Sequence, residues 1–212
     1  MLRIVVLNHS RPKNVGKLIN TFKKYFPMAI INNNPQEMFE YIGNGVDVIN
    51  NEQNYYCMER WVRCFEYPEP YKLILDDDIL PSLDLIKRML QSKRELTGIY
   101  GKLGVDKANN YLDLEDVWEN KEVDFLVGSC MLIKQTLLDK LHEDIEKIGY
   151  PKRGDDIVIS YLAKQKTKKP LQVTTGKFAF LPEDGVGLNT EPDHFSRRWD
   201  VVQKFRNIGW TD

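Results

Sequence analysis

Residues 71–78 read Tyr-Lys-Leu-Ile-Leu-Asp-Asp-Asp, so a short apolar run leads directly into three consecutive aspartates. An apolar run of this length predicts a β-strand that is buried on both faces of a sheet. Three carboxylates at the end of such a strand repel one another and lose hydration, which costs stability unless a cation lies beside them. The stretch therefore predicts a buried strand with a charged site at its carboxyl end.

Three earlier segments repeat this pattern of a buried strand that is followed by polar residues. The strand segments are residues 3–7, 28–31 and 46–49, and the polar residues after them are 8–11, 32–34 and 50–54. Helical patterns separate the strands, at residues 15–26, 36–42 and 55–65. Alternating strands and helices predict a parallel α/β sheet with right-handed crossovers. Because such sheets bind ligands at the carboxyl ends of their strands, we expect all four polar clusters to meet at one edge.

The second half of the chain has a less regular pattern. Helices are predicted at residues 82–93, with Ser82 as the N-cap, and at residues 135–148 and 155–163. Strands of a smaller mixed sheet are predicted at residues 99–105 and 110–114, a strand-turn-strand at residues 123–133, and one or two strands at residues 173–181. The charged run at residues 164–169 is predicted to be a solvated loop. A length of 212 residues fits one domain, which could belong to a longer protein.

The composition excludes some classes of function. Lys and Arg total 30 against 31 Asp and Glu, a net charge of -1. This balance argues against non-specific nucleic-acid binding, which depends on an excess of basic residues. The three cysteines, Cys57, Cys64 and Cys130, form no CxxC pattern and are expected to be buried apolar side chains in a reducing compartment.

The expected location is cytoplasmic. No apolar run approaches the roughly 20 residues that cross a bilayer, so no transmembrane segment is predicted. The N-terminal apolar stretch is short and soon polar, which is typical of a first strand and not of a signal peptide. An anchor on a missing part of a longer chain would change this expectation.

The acidic run has a simple chemical interpretation. A hard divalent cation, Mg²⁺ or Mn²⁺, binds carboxylate and phosphate oxygens together. Strand geometry places Asp76 and Asp78 on one side and Asp77 on the other. Arg11 and Arg60 precede the run at the sheet edge, and a guanidinium group suits a phosphate or a uracil carbonyl. The alternative is a solvated acidic turn that caps the next helix.

Residues 73–80, Leu-Ile-Leu-Asp-Asp-Asp-Ile-Leu, resemble the DXD motif of GT-A-fold glycosyltransferases, and their surroundings are most similar to the exostosin-type group. The other stretches that are similar are residues 5–11, 32–34, 54–60, 127–130 and 154–159, the last resembling the second acidic motif of the family. The resemblance implies a Rossmann-like, mostly parallel central sheet flanked by helices, with a smaller mixed sheet in the acceptor half. Residues 1–105 would form the nucleotide-binding half and residues 106–212 the acceptor-binding half.

The resemblance also implies roles for individual residues. Asp76 would contact the ribose, and Asp78 would bind the Mn²⁺ or Mg²⁺ that bridges the two phosphates. Asp155 or Asp156 would act at the reacting sugar. The implied donor-binding residues are Leu7, Asn8, His9, Arg11, Asn32, Asn33, Asn54, Arg60, Asp76, Asp77, Gly128 and Arg197. The implied metal ligands are Asp78, Asp76 and His194, although the C-terminal end matches the family poorly.

The implied activity is transfer of a hexose or deoxyhexose from a UDP-sugar donor to a hydroxyl of a saccharide or glycan acceptor. The metal would neutralise charge on the departing diphosphate. Asp155 or Asp156 would deprotonate the acceptor hydroxyl in an inverting enzyme, or stabilise the oxocarbenium-like carbon in a retaining one. The resemblance favours retention.

Three alternatives remain from the sequence. A haloacid-dehalogenase-like, Mg²⁺-dependent phosphatase also has an Asp-x-Asp motif, with its first aspartate as phosphoryl acceptor, but Leu80 stands where that family has Thr or Val. A nucleotidyltransferase would have a glycine-rich loop after the first strand, and residues 8–14 contain no glycine. A non-catalytic nucleotide-sugar-binding module would not need the intact aspartates of both acidic motifs.

Overall fold

Strands and helices alternate through the first half of the chain, in the order that the sequence predicts. The computed structural model describes residues 1–149, 151–182 and 191–207. The strands are β1 (Leu2–Asn8), β2 (Met28–Asn32), β3 (Val46–Asn50), β4 (Tyr71–Asp76), β5 (Ile79–Pro81), β6 (Leu96–Gly98), β7 (Gly101–Leu103), β8 (Glu115–Val117), β9 (Glu122–Val123), β10 (Phe125–Leu126), β11 (Cys130–Lys134), β12 (Leu171–Val173) and β13 (Phe178–Phe180). The helices are α1 (Pro12–Phe22), α2 (Glu59–Arg63), α3 (Leu83–Leu90), α4 (Gln135–Ile148), α5 (Asp155–Thr167) and α6 (His194–Arg206), with 3₁₀ turns at Cys64–Glu66 and Tyr111–Asp113.

The central sheet is mostly parallel at the end that holds the acidic run. Within the described residues it has eight strands in the order β3-β2-β1-β4-β11-β6-β12-β9. The first four strands are parallel to their neighbours, whereas β11 is antiparallel to β4 and β6. Smaller antiparallel sheets are formed by β10-β7-β8 and by β13-β5. The predicted α/β fold with a second, smaller sheet is confirmed.

Side chains of the central strands alternate between two hydrophobic clusters. On β1, Val5 packs in the cluster that contains Trp61. Ile4 and Val6 pack in the cluster that contains Phe22. Because successive side chains of a strand point to opposite faces, both faces of the sheet are covered. All five residues of β2 are buried, which explains why these strands read as continuous apolar runs.

Two helix boundaries lie where the sequence places them. α4 begins at Gln135 and ends at Ile148, and the next residue is Gly149, whose φ of 69° suits a residue without a side chain. α3 begins after Ser82, and the Ser82 hydroxyl accepts a 3.2 Å hydrogen bond from the Leu85 N–H. The predicted N-cap is therefore confirmed, although α3 ends at Leu90 and not at residue 93.

Two predicted elements are wrong. Residues 36–42 form no helix, because the Asn50 side chain on β3 accepts a hydrogen bond from the Phe39 N–H and donates one to the Phe39 carbonyl. These bonds hold the segment in an irregular conformation along the sheet edge. Residues 110–114 form a 3₁₀ turn and not a strand, because Asn110 and Asp113 cap its first turn reciprocally.

The charged end of the chain contains more helix than predicted. α5 continues to Thr167, so the loop predicted from residue 164 starts too early. The C-terminal segment forms α6, which buries Arg198, Val202 and Phe205 at helical spacing. Its many polar residues conceal this pattern in the sequence. Among the described residues, no helix has the length and apolarity needed to cross a membrane.

An ion-pair cluster holds the outer end of β1. Arg3 donates hydrogen bonds to Glu69 at 2.9 Å and to Asp47 at 2.6 Å. The Arg3 guanidinium also lies 4.0 Å from the centre of the Tyr67 ring. Glu69 is buried, and burial by itself raises its pKa, but the hydrogen bond from Arg3 leaves the Glu69 pKa below its ordinary value.

We expect Glu69→Gln to remove part of the pH dependence of folding. A lowered carboxyl pKa stabilises the fold above the pKa of the unfolded chain, and this stabilisation is lost as the pH falls through the folded pKa. The variant should therefore be less stable than wild type by about 1–3 kcal/mol at neutral pH, with the gap narrowing in acid. Thermal melts from about pH 7 to about pH 3 measure this. Glu66→Gln, at a carboxylate that is 48% exposed, is the control, and parallel curves for Glu69→Gln and wild type would contradict the assignment.

Candidate active site

Asparagine side chains connect the carboxyl ends of the parallel strands. Asn8, Asn32 and Asn50 are aligned across β1, β2 and β3. The Asn8 amide donates to the Asn32 carbonyl oxygen at 2.9 Å, and the Asn32 amide donates to that of Asn50 at 2.8 Å. The Asn51 amide donates in turn to the Asn33 side-chain oxygen at 2.6 Å. This ladder aligns the strand ends into one edge, as the sequence predicts.

A cavity of about 530 Å³ opens at this edge. Thirteen of the predicted site residues line it: Leu7, His9, Arg11, Asn33, Asn54, Arg60, Asp76, Asp77, Asp78, Gly128, Asp155, Asp156 and His194. Three do not line it: Asn8, Asn32 and Arg197. Asn8 and Asn32 are buried in the amide ladder, where their polar groups are used between strands.

Two arginines partly neutralise the acidic run. Arg60 donates to Asp76 at 2.5 Å, while Arg11 donates to Asp77 at 2.7 Å and to Asp78 at 3.0 Å. The side chains of Asp76 and Asp78 are 38% and 25% exposed, whereas that of Asp77 is 9% exposed. The outer two carboxylates are therefore more open than the middle one. The predicted placement of Asp77 on the opposite side is wrong, because β4 ends at Asp76 and the turn at residues 77–78 brings Asp77 and Asp78 to the same Arg11 nitrogen.

Among the described residues, the basic side chains at this edge do not fully balance the carboxylates. Desolvation raises the pKa of Asp76 to about 6 despite the attraction of Arg60, and Asp78 and Asp155 raise it further. Since more than a third of the Asp76 side chain is open to the cavity, we expect this shift to affect ligand binding more than folding. In the part of the chain that the structure describes, the cavity lining has six carboxylates, Asp76, Asp77, Asp78, Asp116, Asp155 and Asp156, against five Arg and Lys side chains, Arg11, Arg60, Lys102, Arg153 and Arg198.

The second acidic pair begins α5. Asp155 and Asp156 follow Gly154, whose φ of 79° turns the chain into the helix. One oxygen of Asp155 accepts hydrogen bonds from Arg60 at 3.0 and 2.9 Å and from the Trp61 indole N–H at 2.7 Å. Arg60 therefore connects the two acidic motifs, because it pairs with Asp76 and Asp155 together.

Asp156 has different partners. Its carboxylate accepts a 2.9 Å hydrogen bond from the Gly128 N–H and a 2.8 Å bond from Arg198. Although burial opposes ionisation, Arg198 and the Gly128 N–H lower the pKa of Asp156. Gly128 has no room for a side chain, because an added Cβ would lie 2.4 Å from the Arg60 Nη2 atom and 3.3 Å from the Asp156 Cβ. The glycine permits both ion pairs to approach the strand end.

Helix α6 contributes one predicted residue and one that the sequence analysis missed. His194 and Arg198 lie one turn apart and both line the cavity. Arg197, which was predicted to bind the donor, instead pairs with Asp193 at 2.5 Å outside the cavity and is 44% exposed. The spacing of four residues between His194 and Arg198 would have identified Arg198, had a helix been recognised there.

His194 has an unused polar atom at the cavity wall. Within the described residues, its Nδ1 atom is buried without a hydrogen-bond partner. Burial, Arg198 and Arg153 together lower the pKa of His194, so the imidazole is neutral at pH 7. A neutral imidazole can accept a hydrogen bond or bind a metal through its free nitrogen.

Tyr111 was also missed by the sequence analysis. The Lys102 ammonium lies 5.1 Å from the centre of its ring, and the Arg198 guanidinium lies 4.9 Å from it. Burial raises the pKa of Tyr111 to about 12, so its hydroxyl stays protonated. Its contacts with both cations help to hold Lys102 and Arg198 at the cavity wall.

The cavity fits one mode of metal binding better than another. Across residues 1–149, 151–182 and 191–207, no three His, Cys, Asp or Glu side chains are grouped as a complete metal cage. Mg²⁺ is usually bound through one or two carboxylates together with substrate phosphates, and this mode needs no such cage. The partly exposed carboxylates of Asp76 and Asp78, at an edge short of positive charge, fit it.

The similarity of this chain to known proteins is structural. No protein-family model matches the sequence, and no curated protein matches it. S. aureus TarS 1-349 in complex with UDP-GlcNAc is similar with a TM-score of 0.58 and 14% identity, over 90% of this chain and 61% of that chain. Another structure of S. aureus TarS 1-349 is similar with a TM-score of 0.53 and 14% identity, over 84% of this chain and 59% of that chain. HddC from Yersinia pseudotuberculosis is similar with a TM-score of 0.50 and 12% identity, over 97% of this chain and 100% of HddC.

These similarities show that the chain has a GT-A-type fold. The chain spans 59–61% of the length of the TarS chains that it matches. The cavity lies at the carboxyl edge of the parallel strands, where open α/β sheets bind their ligands.

Proposed function

We propose that this chain is a metal-dependent glycosyltransferase that moves a hexose or deoxyhexose from a UDP-sugar to a hydroxyl of a saccharide or glycan acceptor. One observation supports this most strongly: Arg60 joins the acidic run and the second acidic pair at a single cavity. The GT-A-type fold, shared with a TarS structure that contains UDP-GlcNAc, supports a nucleotide-sugar ligand. We also propose that the chain is most similar to the exostosin-type group of these glycosyltransferases.

The uridine would lie at the β1 and β2 end of the cavity. Leu7, His9, Arg11, Asn33 and Asn54 line this end. The backbone of Tyr56 orients two of these side chains. The Asn54 side chain accepts a 2.8 Å hydrogen bond from the Tyr56 N–H, and the Asn33 amide donates one to the Tyr56 carbonyl at 2.9 Å. Residues 1–105 would thus supply the nucleotide-binding half of the site.

The diphosphate would lie beside Asp78 and Asp76. These two carboxylates would hold Mn²⁺ or Mg²⁺ together with phosphate oxygens, and the neutral His194 is the further candidate ligand. When bound, the ion neutralises charge that develops on the departing diphosphate. Arg11 keeps Asp77 and Asp78 in place through its two ion pairs.

The reacting sugar would lie near Asp156. Because the pKa of Asp156 is lowered and both its oxygens accept hydrogen bonds, its carboxylate is ionised and poorly suited to take a proton. A fixed negative charge in a buried site stabilises the positive charge that develops at the anomeric carbon. We therefore favour Asp156 over Asp155 for this role, and retention over inversion.

The function is tested first by binding. Calorimetry should show that UDP binds, and that Mn²⁺ increases its affinity, while thermal shifts with a panel of UDP-sugars identify the donor. A nucleotidyltransferase would instead prefer a nucleoside triphosphate and release pyrophosphate with a sugar 1-phosphate. A phosphatase of the haloacid-dehalogenase type would give a phosphoaspartate at Asp76. Absence of UDP binding with and without Mn²⁺ would end the glycosyltransferase proposal.

Asp78→Ala should remove the Mn²⁺-dependent part of UDP affinity. The variant loses the carboxylate that we assign to the ion, so UDP should bind at least about tenfold more weakly with Mn²⁺, and adding Mn²⁺ should change little. Asp84→Ala is the matched control, because Asp84 lies on α3, is 65% exposed and pairs with Arg88 away from the cavity. Equal Mn²⁺ enhancement in Asp78→Ala and wild type would refute the metal role of Asp78.

A further inference from the structure

Four aromatic side chains form a continuous strip on the surface. Tyr100 and Trp118 are stacked with ring centres 4.0 Å apart and planes within 7°. Trp118 is followed by Phe178 at 5.8 Å, and Phe178 by Phe180 at 5.5 Å in an edge-on contact. Trp118 is 43% exposed and Phe180 is 67% exposed. Exposed aromatic rings in contact with one another are a costly surface and mark an interaction site.

The strip begins at the cavity and ends beside the strand that follows the acidic run. Tyr100 lines the cavity itself, and its hydroxyl donates a hydrogen bond to Asp116, another lining residue. At the other end, Phe180 lies opposite Ile79 in the β13-β5 pair, and the N–H after it donates a 2.7 Å hydrogen bond to the Asp78 carbonyl. The aromatic strip therefore extends from Tyr100 in the cavity lining to Phe180 on β13, the strand paired with β5 directly after the acidic run.

We propose that the aromatic strip, formed by Tyr100, Trp118, Phe178 and Phe180, is the platform on which the saccharide acceptor lies. This inference rests on the proposed function, and it assigns a binding surface to the acceptor. Pyranose rings present C–H groups that pack on aromatic rings, and hydroxyl groups that bond to carboxylates and ammonium groups. Asp116, 54% exposed and paired with Lys102 at 2.6 Å, supplies such polar partners beside the strip.

The size of the aromatic strip favours an oligosaccharide over a second copy of the chain. The exposed parts of its four rings amount to roughly 300–400 Å². A stable protein interface needs about 800 Å² on each partner. Mutual stacking holds the rings in place before any ligand arrives, which lowers the entropy cost of binding a flexible sugar chain.

The test uses the full chain and a glycan array of pentose, hexose and hexosamine oligosaccharides. Wild type should bind at least one class of oligosaccharide. Phe180→Leu and Trp118→Leu should each bind that class roughly three- to tenfold more weakly, because each removes one ring. Tyr25→Leu removes a 50% exposed aromatic ring outside the strip and should bind as wild type does. Phe180→Leu is expected to fold, because the Phe180 side chain is mostly exposed.

UDP calorimetry on the same proteins separates this inference from the proposed function. Unchanged UDP affinity in Phe180→Leu, with weaker glycan binding, supports the platform. A wild type that binds UDP but no oligosaccharide would overturn the platform and leave the proposed function standing. Glycan binding that neither substitution weakens would also overturn it. A third result would overturn it as well: wild type is a dimer without bound glycan, and Phe180→Asp is a monomer. The aromatic strip would then be the interface with a second copy of the chain.

Discussion

Replacing Arg60 by methionine is expected to lower the free energy of unfolding by about 3–5 kcal/mol. The Arg60 side chain is 3% exposed and pairs with Asp76 and with Asp155, which is 4% exposed. Removing the cation leaves Asp155 charged and buried with only the Trp61 indole N–H among its described side-chain donors. An unpaired buried charge costs far more than the loss of a solvated ion pair.

Chemical denaturation of Arg60→Met and wild type measures this difference. Arg88→Met is the control, because Arg88 is 57% exposed and pairs with Asp84, which is 65% exposed, so its removal leaves no buried charge. That control should cost less than about 1 kcal/mol. The double variant Arg60→Met with Asp155→Asn should recover part of the loss, because it removes the stranded carboxylate. A loss in Arg60→Met no larger than that in Arg88→Met would show that Arg60 does not support the site.

Asp156→Asn is expected to lower the rate of sugar transfer by about 10²–10³-fold while UDP binds with little change. The amide keeps the shape of the side chain but loses the charge that we place beside the anomeric carbon. Because no acceptor is needed for slow hydrolysis of the donor, release of UDP from the UDP-sugar provides the rate. Retained UDP affinity shows that the variant is folded.

Asp156→Asn leaves the buried Arg198 without its carboxylate partner, and this loss could unfold the protein. A second variant therefore tests the same role without the unpaired charge. Asp156→Asn combined with Arg198→Gln removes both charges and leaves two amides that can bond to each other. It should fold and remain inactive. Full turnover in either variant would move the role to Asp155 or to another group, and would contradict the placement of the sugar near Asp156.

Local pattern was enough to predict the parallel half of the fold. The strands β1, β2 and β4 are buried on both faces, so their sequences are short apolar runs that are recognisable without any partner. The edge strand β3 is only partly buried, so its predicted burial is wrong although its position is right. Parallel strands with crossovers must place their carboxyl ends at one edge, so the meeting of the polar clusters followed from connectivity. The segment at residues 36–42 was mispredicted because its conformation depends on Asn50, which is distant from its centre in the chain.

Sequence alone did not separate Arg197 from Arg198. The two residues are adjacent, and only the helical direction of α6 turns Arg198 inward to Asp156 and Arg197 outward to Asp193. Tyr111 was missed for a similar reason, because its role comes from Lys102 and Arg198, which approach it from two other elements. Asn32 shows the reverse: an attractive polar residue at a strand end is used for bonding between strands.

The order of apolar and polar residues by itself determined the sheet, its ligand-binding edge and the acidic run at that edge, because strand burial and chain connectivity are local properties. Which cation meets which carboxylate was decided only by the tertiary structure. Arg60 and Asp155 are 95 residues apart in the chain, and their pairing depends on packing of α2 and α5 around the strand end at Gly128. Charge compensation acts over a few ångströms in space, and sequence separation gives no measure of that distance.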